Sequence, residues 1–277
     1  MQRRAAVLGS PIAHSRSPLL HRAAYESLDL DWHYDAIEVR EGELASFLRA
    51  CGPEWVGFSL TMPLKDEAWA LADLRDDVAD RTKCANTLLR DSAGWYAANT
   101  DVFGLVTAVR EFMHDGSARP ISTAVIIGSG ATARSASAAA AELGAERVII
   151  RARNVEAARQ VVDVAHAYGV PQVDVGPLSA LSEALQVADL CVSTLPGSAA
   201  TELVECFEER STARPREGVL VDVAYDPWPS RLAQAWQPGI TISGLDMLLW
   251  QAVAQVELMT GQRPDIAGMR MSVHEGK

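Results

Sequence analysis

The sequence lacks the features that mark several large classes of protein. Its 277 residues include only four cysteines, Cys51, Cys84, Cys191 and Cys206, with no CxxC pair and no nearby histidine at metal-ligand spacing. This spacing argues against a zinc site and a dense disulfide framework, and it is typical of reduced thiols in the cytosol. No run approaches the roughly 18 apolar residues that a membrane-spanning helix needs. We therefore expect a cytoplasmic protein with no membrane partner and no metal.

Basic residues are also scarce. The chain has 25 Lys and Arg against 36 Asp and Glu, a net charge of −11, and it contains no basic run. A nucleic acid would meet net repulsion, so we expect no nucleic-acid partner. Hydrophobic residues at 48% and charged residues at 22% are ordinary for globular proteins and do not indicate disorder. At roughly 150 residues per domain, the length favours two domains.

Short apolar runs alternate with segments of helical periodicity in the first hundred residues. Strands are predicted at residues 5–9, 32–37 and 56–61, and helices at residues 19–28, 42–51 and 65–74. This alternation predicts an α/β fold with a mostly parallel sheet.

The same alternation resumes after a polar stretch containing Gly and Pro at residues 115–120, which is a plausible boundary. Five further strands are predicted, at residues 123–127, 147–150, 173–175, 190–193 and 219–223. The pattern is that of a doubly wound Rossmann domain. We assign residues 103–245 to it, and residues 1–102 with about 246–277 to the first domain, to which the last long helix returns.

A glycine loop follows the first strand of the second domain. Gly128, Gly130 and Ala133 form GxGxxA where a helix begins, so backbone N–H groups can approach a pyrophosphate at the positive helix end. Ser129 and Ala131 lie within this loop and are expected to contact the cofactor. The alternative is a tight turn without a ligand.

The end of the next strand bears on the choice of cofactor. An NAD site places Asp or Glu there, whereas this chain has Arg151, Arg153 and Asn154 with no acid before Glu156. Guanidinium groups pair with phosphate, so these three residues predict a 2′-phosphate site and NADP. The alternative is that the arginines are solvated strand-end residues. Thr194 and Gly244 are also assigned to the cofactor site.

Three loops at predicted strand ends are richer in polar residues than packing requires. Ser15 and Ser17 could donate to a carboxylate, or one of them could cap the helix near Pro18. Asn86 and Asn99 could be turn residues.

Lys65 and Asp101 follow predicted strands, at the sheet edge where α/β ligands bind. An amine held there can exchange a proton with a substrate hydroxyl, and a carboxylate can orient it. The alternatives are a solvated surface lysine and an aspartate that caps a helix.

Several motifs together resemble shikimate dehydrogenases. They are GSPIAHSRSP at 9–18, TMPLK at 61–65, ANT at 85–87, NTDVFG at 99–104, the glycine loop, and GLDMLLWQA at 244–252. The resemblance spans nearly the whole chain, in order. It implies NADP-linked, reversible reduction of 3-dehydroshikimate to shikimate, on the pathway to chorismate and the aromatic amino acids.

The resemblance also implies residue roles. Ser15 and Ser17 would hold the substrate carboxylate, and Lys65 with Asp101 would form the catalytic pair. The ring hydroxyls would be bound by the polar residues Thr61, Asn86, Asp101 and Gln251. Tyr225 matches a family tyrosine near the substrate and the nicotinamide.

The chain departs from the family pattern at two places that matter here. Ser59 stands where the family usually has Asn, and Ala157 stands where a second arginine is often found, for which Arg151 or Arg159 would substitute. The rival hypotheses are a quinate/shikimate or amino-analogue dehydrogenase using NAD or NADP, and a non-catalytic NADP-binding regulator. We expect a monomer or a homodimer.

Overall fold

The computed structural model describes residues 2–113, 120–213 and 218–275, so of the predicted boundary stretch at 115–120 only Pro120 lies within the described residues. The chain divides into one unit of residues 1–104 with 248–277 and a second unit of residues 105–247. The divisions fall inside two helices, at residues 101–112 and 244–260.

The strands, in chain order, are β1 (Arg3–Gly9), β2 (Trp32–Glu38), β3 (Trp55–Leu60), β4 (Leu74–Arg75), β5 (Thr87–Asp91), β6 (Gly94–Ala98), β7 (Thr123–Ile127), β8 (Arg147–Ala152), β9 (Gln172–Pro177), β10 (Leu190–Ser193), β11 (Val219–Asp222) and β12 (Ile240–Ser243). The α-helices are α1 (Ser17–Ser27), α2 (Leu44–Ala50), α3 (Lys65–Leu71), α4 (Asp77–Thr82), α5 (Asp101–Phe112), α6 (Ala131–Glu142), α7 (Arg159–Ala167), α8 (Leu181–Leu185), α9 (Gly197–Ala200), α10 (Val204–Ala213), α11 (Arg231–Ala235), α12 (Gly244–Thr260) and α13 (Ile266–Glu275).

The first unit is built on a sheet of order β2-β1-β3-β5-β6-β4. Strands β1, β2 and β3 pair in parallel, whereas β5 runs antiparallel to both β3 and β6. The sheet is therefore mostly parallel, as predicted. It also contains a β5–β6 hairpin, whose two strands were not predicted from the sequence. Its core includes Leu8, Phe58, Leu60 and Leu88, all at most 3% exposed.

The second unit is a wholly parallel sheet of order β12-β11-β10-β7-β8-β9, which confirms the predicted Rossmann pattern. Its central strands β7 and β10 are buried almost throughout, and both consist mainly of apolar residues. The strand order reverses between β7 and β10. Ligands of such sheets bind outside the carboxyl ends of the strands at this reversal.

The last two helices belong mainly to the first unit, as predicted for the C-terminal segment. Helix α13 packs against α1, and the backbone N of Asp265 donates to Oγ of Ser27 at 3.2 Å. Within the described part of the chain, no helix combines the length and the apolar character needed to cross a membrane.

Candidate active site

The loops that follow β1 and β3 lie side by side. Because β1 and β3 are parallel, the backbone leaves both strands at the same edge of the sheet. The backbone N of Ser10 donates to the Met62 carbonyl at 3.0 Å, and that of Thr61 donates to the Leu8 carbonyl at 2.9 Å. A Cβ at Gly9 would collide with the Thr61 side chain, which explains the glycine. This packing places the Ser15 loop and Thr61 at one sheet edge.

Ser15 and Ser17 lie at the start of α1. Helix α1 begins at Ser17 and Arg16 occupies its N-cap position, so neither serine is the N-cap residue. Oγ of Ser15 accepts a bond from the backbone N of Ser17 at 3.3 Å. The Ser17 side chain is buried and that of Ser15 is half-buried.

Lys65 and Asp101 form a buried ion pair. They are the first residues of α3 and α5, and Nζ of Lys65 donates to Oδ2 of Asp101 at 2.5 Å. Their side chains are 11% and 5% exposed, so Lys65 is not the solvated surface residue of the alternative interpretation. The other carboxylate oxygen of Asp101 accepts from Nδ2 of Asn86 at 2.8 Å.

Asn86 is the centre of this group. Besides Asp101, its Nδ2 lies 2.9 Å from Oγ1 of Thr100 and 3.1 Å from Oε1 of Gln251 on α12. Its Oδ1 accepts from the backbone N of Thr100 at 2.8 Å. Asn86 is 1% exposed, so it is not a surface turn residue. The structure thus brings Lys65, Asn86, Asp101 and Gln251 together.

Asn99 holds the start of α5 in place. Its Oδ1 accepts from the backbone N of Asp101 at 3.1 Å, and its Nδ2 donates to Oγ1 of Thr82 at 2.9 Å. Its side chain is therefore a local support for Asp101.

Sequence reasoning missed Gln255, which is fully buried and donates to the Asn86 carbonyl at 2.9 Å. A signal was present, because Gln251 and Gln255 are four residues apart and such residues share one face of a helix.

The glycine loop of the second unit requires glycine at its first position. Gly128 has a φ of +125°, in the left-handed region, and a Cβ there would collide with Oγ1 of Thr194. Thr194 Oγ1 itself donates to the Ile127 carbonyl at 2.8 Å. Gly130 occupies the N-cap position of α6, and the space around its missing side chain is open. A phosphate can therefore approach the backbone at this helix end.

The arginines at the end of β8 differ in environment. Arg153 and Asn154 are exposed, and Oδ1 of Asn154 accepts from the backbone N of Ala157 at 3.0 Å. Nearby Arg159 is also exposed and its Nε lies 3.2 Å from Oε2 of Glu156.

The structure argues against a cofactor role for Arg151. Its side chain is 9% exposed, and its guanidinium donates to Oδ2 of Asp174 at 2.7 Å and to the Ile150 carbonyl at 3.0 Å. Gly176, its neighbour on β9, leaves room for the guanidinium. These contacts hold the guanidinium of Arg151 against β9, so we do not retain Arg151 as a phosphate ligand.

Tyr225 and Gly244 lie beyond the carboxyl ends of β11 and β12. A Cβ at Gly244 would collide with the Val223 carbonyl, so only glycine permits this approach. Burial raises the pKa of Asp222, and its Oδ2 accepts from Oγ of Ser230 at 2.6 Å. This bond ties the two ends of the segment that carries Tyr225.

Comparisons with known proteins match this architecture. The family model "Shikimate dehydrogenase substrate binding domain" matches residues 7–88, "Shikimate / quinate 5-dehydrogenase" matches residues 117–227, and "Shikimate 5'-dehydrogenase C-terminal domain" matches residues 244–274. A shikimate dehydrogenase (NADP(+)) of Rhizobium rhizogenes is 34% identical over 263 residues, which cover 93% of this chain and 89% of that protein. This chain belongs to the shikimate dehydrogenase family. The family resemblance predicted from the motifs is confirmed.

Solved structures of the shikimate dehydrogenase family share the whole fold. The crystal structure of the Mycobacterium tuberculosis shikimate dehydrogenase superimposes with a TM-score of 0.86 at 41% identity, covering 99% of each chain. The Thermus thermophilus enzyme in complex with NADP(H) and shikimate has a TM-score of 0.78 at 29% identity, also covering 99% of each chain.

Proposed function

We propose that this chain is an NADP-dependent shikimate dehydrogenase that reversibly reduces 3-dehydroshikimate to shikimate. The observation that carries this proposal is the buried Lys65–Asp101 pair beside Asn86 and Gln251. It supplies a proton-transfer group and several hydrogen-bonding groups in one place, which is what a polyhydroxylated ring requires.

Lys65 is the acid–base group of this proposal. In the reductive direction its ammonium gives a proton to the ring oxygen, and in the oxidative direction its amine takes the hydroxyl proton. Asp101 orients Lys65 and, with Thr61, Asn86 and Gln251, binds the ring hydroxyls. Ser15 and Ser17 hold the substrate carboxylate through their hydroxyl groups, without a buried cation.

The second unit fits a dinucleotide. Its glycine loop, residues 128–131, has a left-handed Gly128 and open space at Gly130. Thr194, which lies against Gly128, and Gly244 are assigned to the same cofactor site, and Arg153 and Asn154 are exposed to receive a 2′-phosphate. The cofactor, when bound, would supply the hydride for reduction as NADPH and accept it in oxidation as NADP⁺.

Initial rates test the proposal. Purified protein and its Lys65→Ala variant are assayed with shikimate and with quinate, each against NADP and NAD. The expected result is turnover of shikimate with NADP by the wild type and a large loss in the variant. A preference for quinate or NAD would favour the related dehydrogenase, and NADP binding without any turnover would favour a regulator.

The remaining expectations stay proposals. We propose that the enzyme acts in the cytoplasm, as its few and widely spaced cysteines suggest, and that it is a monomer or a homodimer.

A further inference from the structure

A row of buried polar side chains leads from β2 through β3 and α12 to Asn86. Tyr34 on β2, Ser59 on β3 and Gln255 on α12 are all at most 4% exposed. The Tyr34 hydroxyl donates to Oγ of Ser59 at 2.6 Å, and Oγ of Ser59 donates to Oε1 of Gln255 at 2.7 Å. Burial raises the pKa of Tyr34, so its hydroxyl stays protonated and acts as the donor.

The row continues from Gln255 to Asn86. Nε2 of Gln255 donates to the Asn86 carbonyl and to Oγ1 of Thr87, both at 2.9 Å. Oγ1 of Thr87 then donates to Oδ1 of Asn86 at 2.8 Å. Every polar atom of the Gln255 side chain is used in this way.

The direction of these bonds follows from the number of protons available. The amide nitrogen of Gln255 can only donate, so the Thr87 oxygen must accept from it. The backbone N–H of Thr100 can only donate and lies 2.8 Å from Oδ1 of Asn86, so the hydroxyl proton of Thr87 is directed to this same acceptor oxygen. That oxygen therefore faces Thr87 and the backbone N of Thr100, and the NH₂ group of Asn86 faces Asp101. A reversed amide would place Oδ1 against the Asp101 carboxylate.

We infer that Gln255 is a positioning residue, which acts through Thr87 together with the Thr100 N–H to fix the orientation of the Asn86 amide and so holds Asp101 for Lys65. This inference rests on the proposed function for its catalytic consequence. Ser59 on β3 takes part in the same arrangement, because its hydroxyl donates to Oε1 of Gln255.

The inference is tested with Gln255→Met, which keeps the length of the side chain, and with Thr87→Val, which keeps its shape. The matched control is Thr260→Val, because Thr260 lies on α12 and its hydroxyl bonds near the helix end, donating to the carbonyls of Val256 and Gln262 and accepting from the Gln262 N–H. Both test variants should lower kcat/KM for shikimate by up to about 10²-fold, the cost of a small misplacement in an active site. The control should stay within about twofold, and the Kd of 2′,5′-ADP, which probes the second unit, should be unchanged in all three.

A double-mutant cycle separates positioning from general support of the fold. If Gln255 acts through Asn86, adding Gln255→Met to Asn86→Ala should change kcat/KM by less than about twofold. The inference would be overturned if Gln255→Met lowered kcat/KM in the Asn86→Ala background as much as it does in the wild type. Normal kcat/KM in Gln255→Met alone would also overturn it.

The NMR signals of the Asn86 side-chain NH₂ group, assigned from their disappearance in Asn86→Ala, provide a test that needs no substrate. They should shift in Gln255→Met and Thr87→Val and not in Thr260→Val; unshifted signals in both test variants would overturn the inference. Absence of shikimate turnover by the wild type would refute the proposed function, and these signals would still decide whether Gln255 orients Asn86.

Discussion

Nζ of Lys65 lies 2.5 Å from Oδ2 of Asp101, and the two side chains are almost entirely shielded from water. Hydrogen bonds from polar neighbours stabilise a buried ion pair as much as the attraction between its charges does, because both charges have lost their hydration. Asn86 supplies one of these neighbours through its bond to Oδ1 of Asp101. The pair is therefore part of a connected group, and changes at its members should have distinct effects.

Lys65→Ala should lower kcat by about 10²- to 10⁴-fold with little change in KM for shikimate, because a proton-transfer group acts in the transition state. Steady-state kinetics measure both constants. Lys83→Ala is the matched control, since Lys83 is 55% exposed and pairs with Asp80 on the surface. An unchanged kcat in Lys65→Ala would show that Lys65 is not the proton-transfer group. A thermal unfolding curve separates loss of catalysis from loss of the fold, because Asp101 is left buried without its cation.

Ser15→Ala should instead raise KM for shikimate, by roughly 10- to 150-fold, with kcat largely retained. One hydrogen bond to a charged carboxylate contributes about 1.5–3 kcal/mol, and about 1.4 kcal/mol corresponds to a tenfold change in affinity. Calorimetric titration with shikimate gives the change directly. Ser92→Ala is the control, because Ser92 is an exposed serine whose hydroxyl donates to its neighbour Asp91. A loss confined to kcat would contradict a carboxylate-binding role.

The sequence predicted the parts of the site that depend on local rules. The glycine loop requires a left-handed residue directly after a strand, and Gly128 occupies that position with φ +125°. The proximity of Lys65 and Asp101 was also predictable, because both follow strands of one sheet and so lie at its ligand-binding edge. The role of Gln255 could not be derived in this way, because its partners Asn86 and Thr87 lie 169 and 168 residues away in the chain.

The assignment of Arg151 depends on the folded sheet in the same way. The sequence places Arg151 and Arg153 equally well for a phosphate, and only the cross-strand neighbours distinguish them. Asp174 binds the Arg151 guanidinium and Gly176 leaves space for it, and both lie on β9. The pairing register that brings them there is a property of the folded sheet.

Arg153→Ser should weaken binding of 2′,5′-ADP by about tenfold or more and leave binding of 5′-AMP nearly unchanged, because a guanidinium recognises the 2′-phosphate specifically. Fluorescence or calorimetric titration measures both ligands without turnover. Arg147→Ser is the matched control, since Arg147 is an exposed arginine at the opposite, amino end of the same strand, β8. Arg151→Met should lower the unfolding temperature and leave the ratio of the two affinities unchanged. A changed ratio of the 2′,5′-ADP and 5′-AMP affinities in Arg151→Met would show that Arg151 does bind the 2′-phosphate.

His21 should make the stability of the protein depend on pH. The ring is fully buried and stacks on Tyr34 with centroids 4.0 Å apart. Burial lowers the pKa of His21 from 6.5 to about 4, against the opposing effects of the Ser17 carbonyl and Gln255. The unfolded chain therefore takes up a proton near pH 6.5, whereas the folded protein does so only near pH 4. The free energy of unfolding should fall by about 3 kcal/mol as the pH drops through this window.

Urea unfolding curves at pH 7.5 and pH 4.5 test this expectation for the wild type, His21→Gln and His33→Gln. His33 is exposed, so its variant should keep the full pH dependence of the wild type. Burial raises the pKa of Asp76 and Asp222, which favours the folded state at low pH and opposes the effect of His21. These carboxyl groups are common to all three proteins, so their contribution cancels in the comparison. His21→Gln should lose about 3 kcal/mol less than the wild type between the two pH values, whatever its absolute stability, and parallel pH profiles would show that His21 does not titrate as its burial requires.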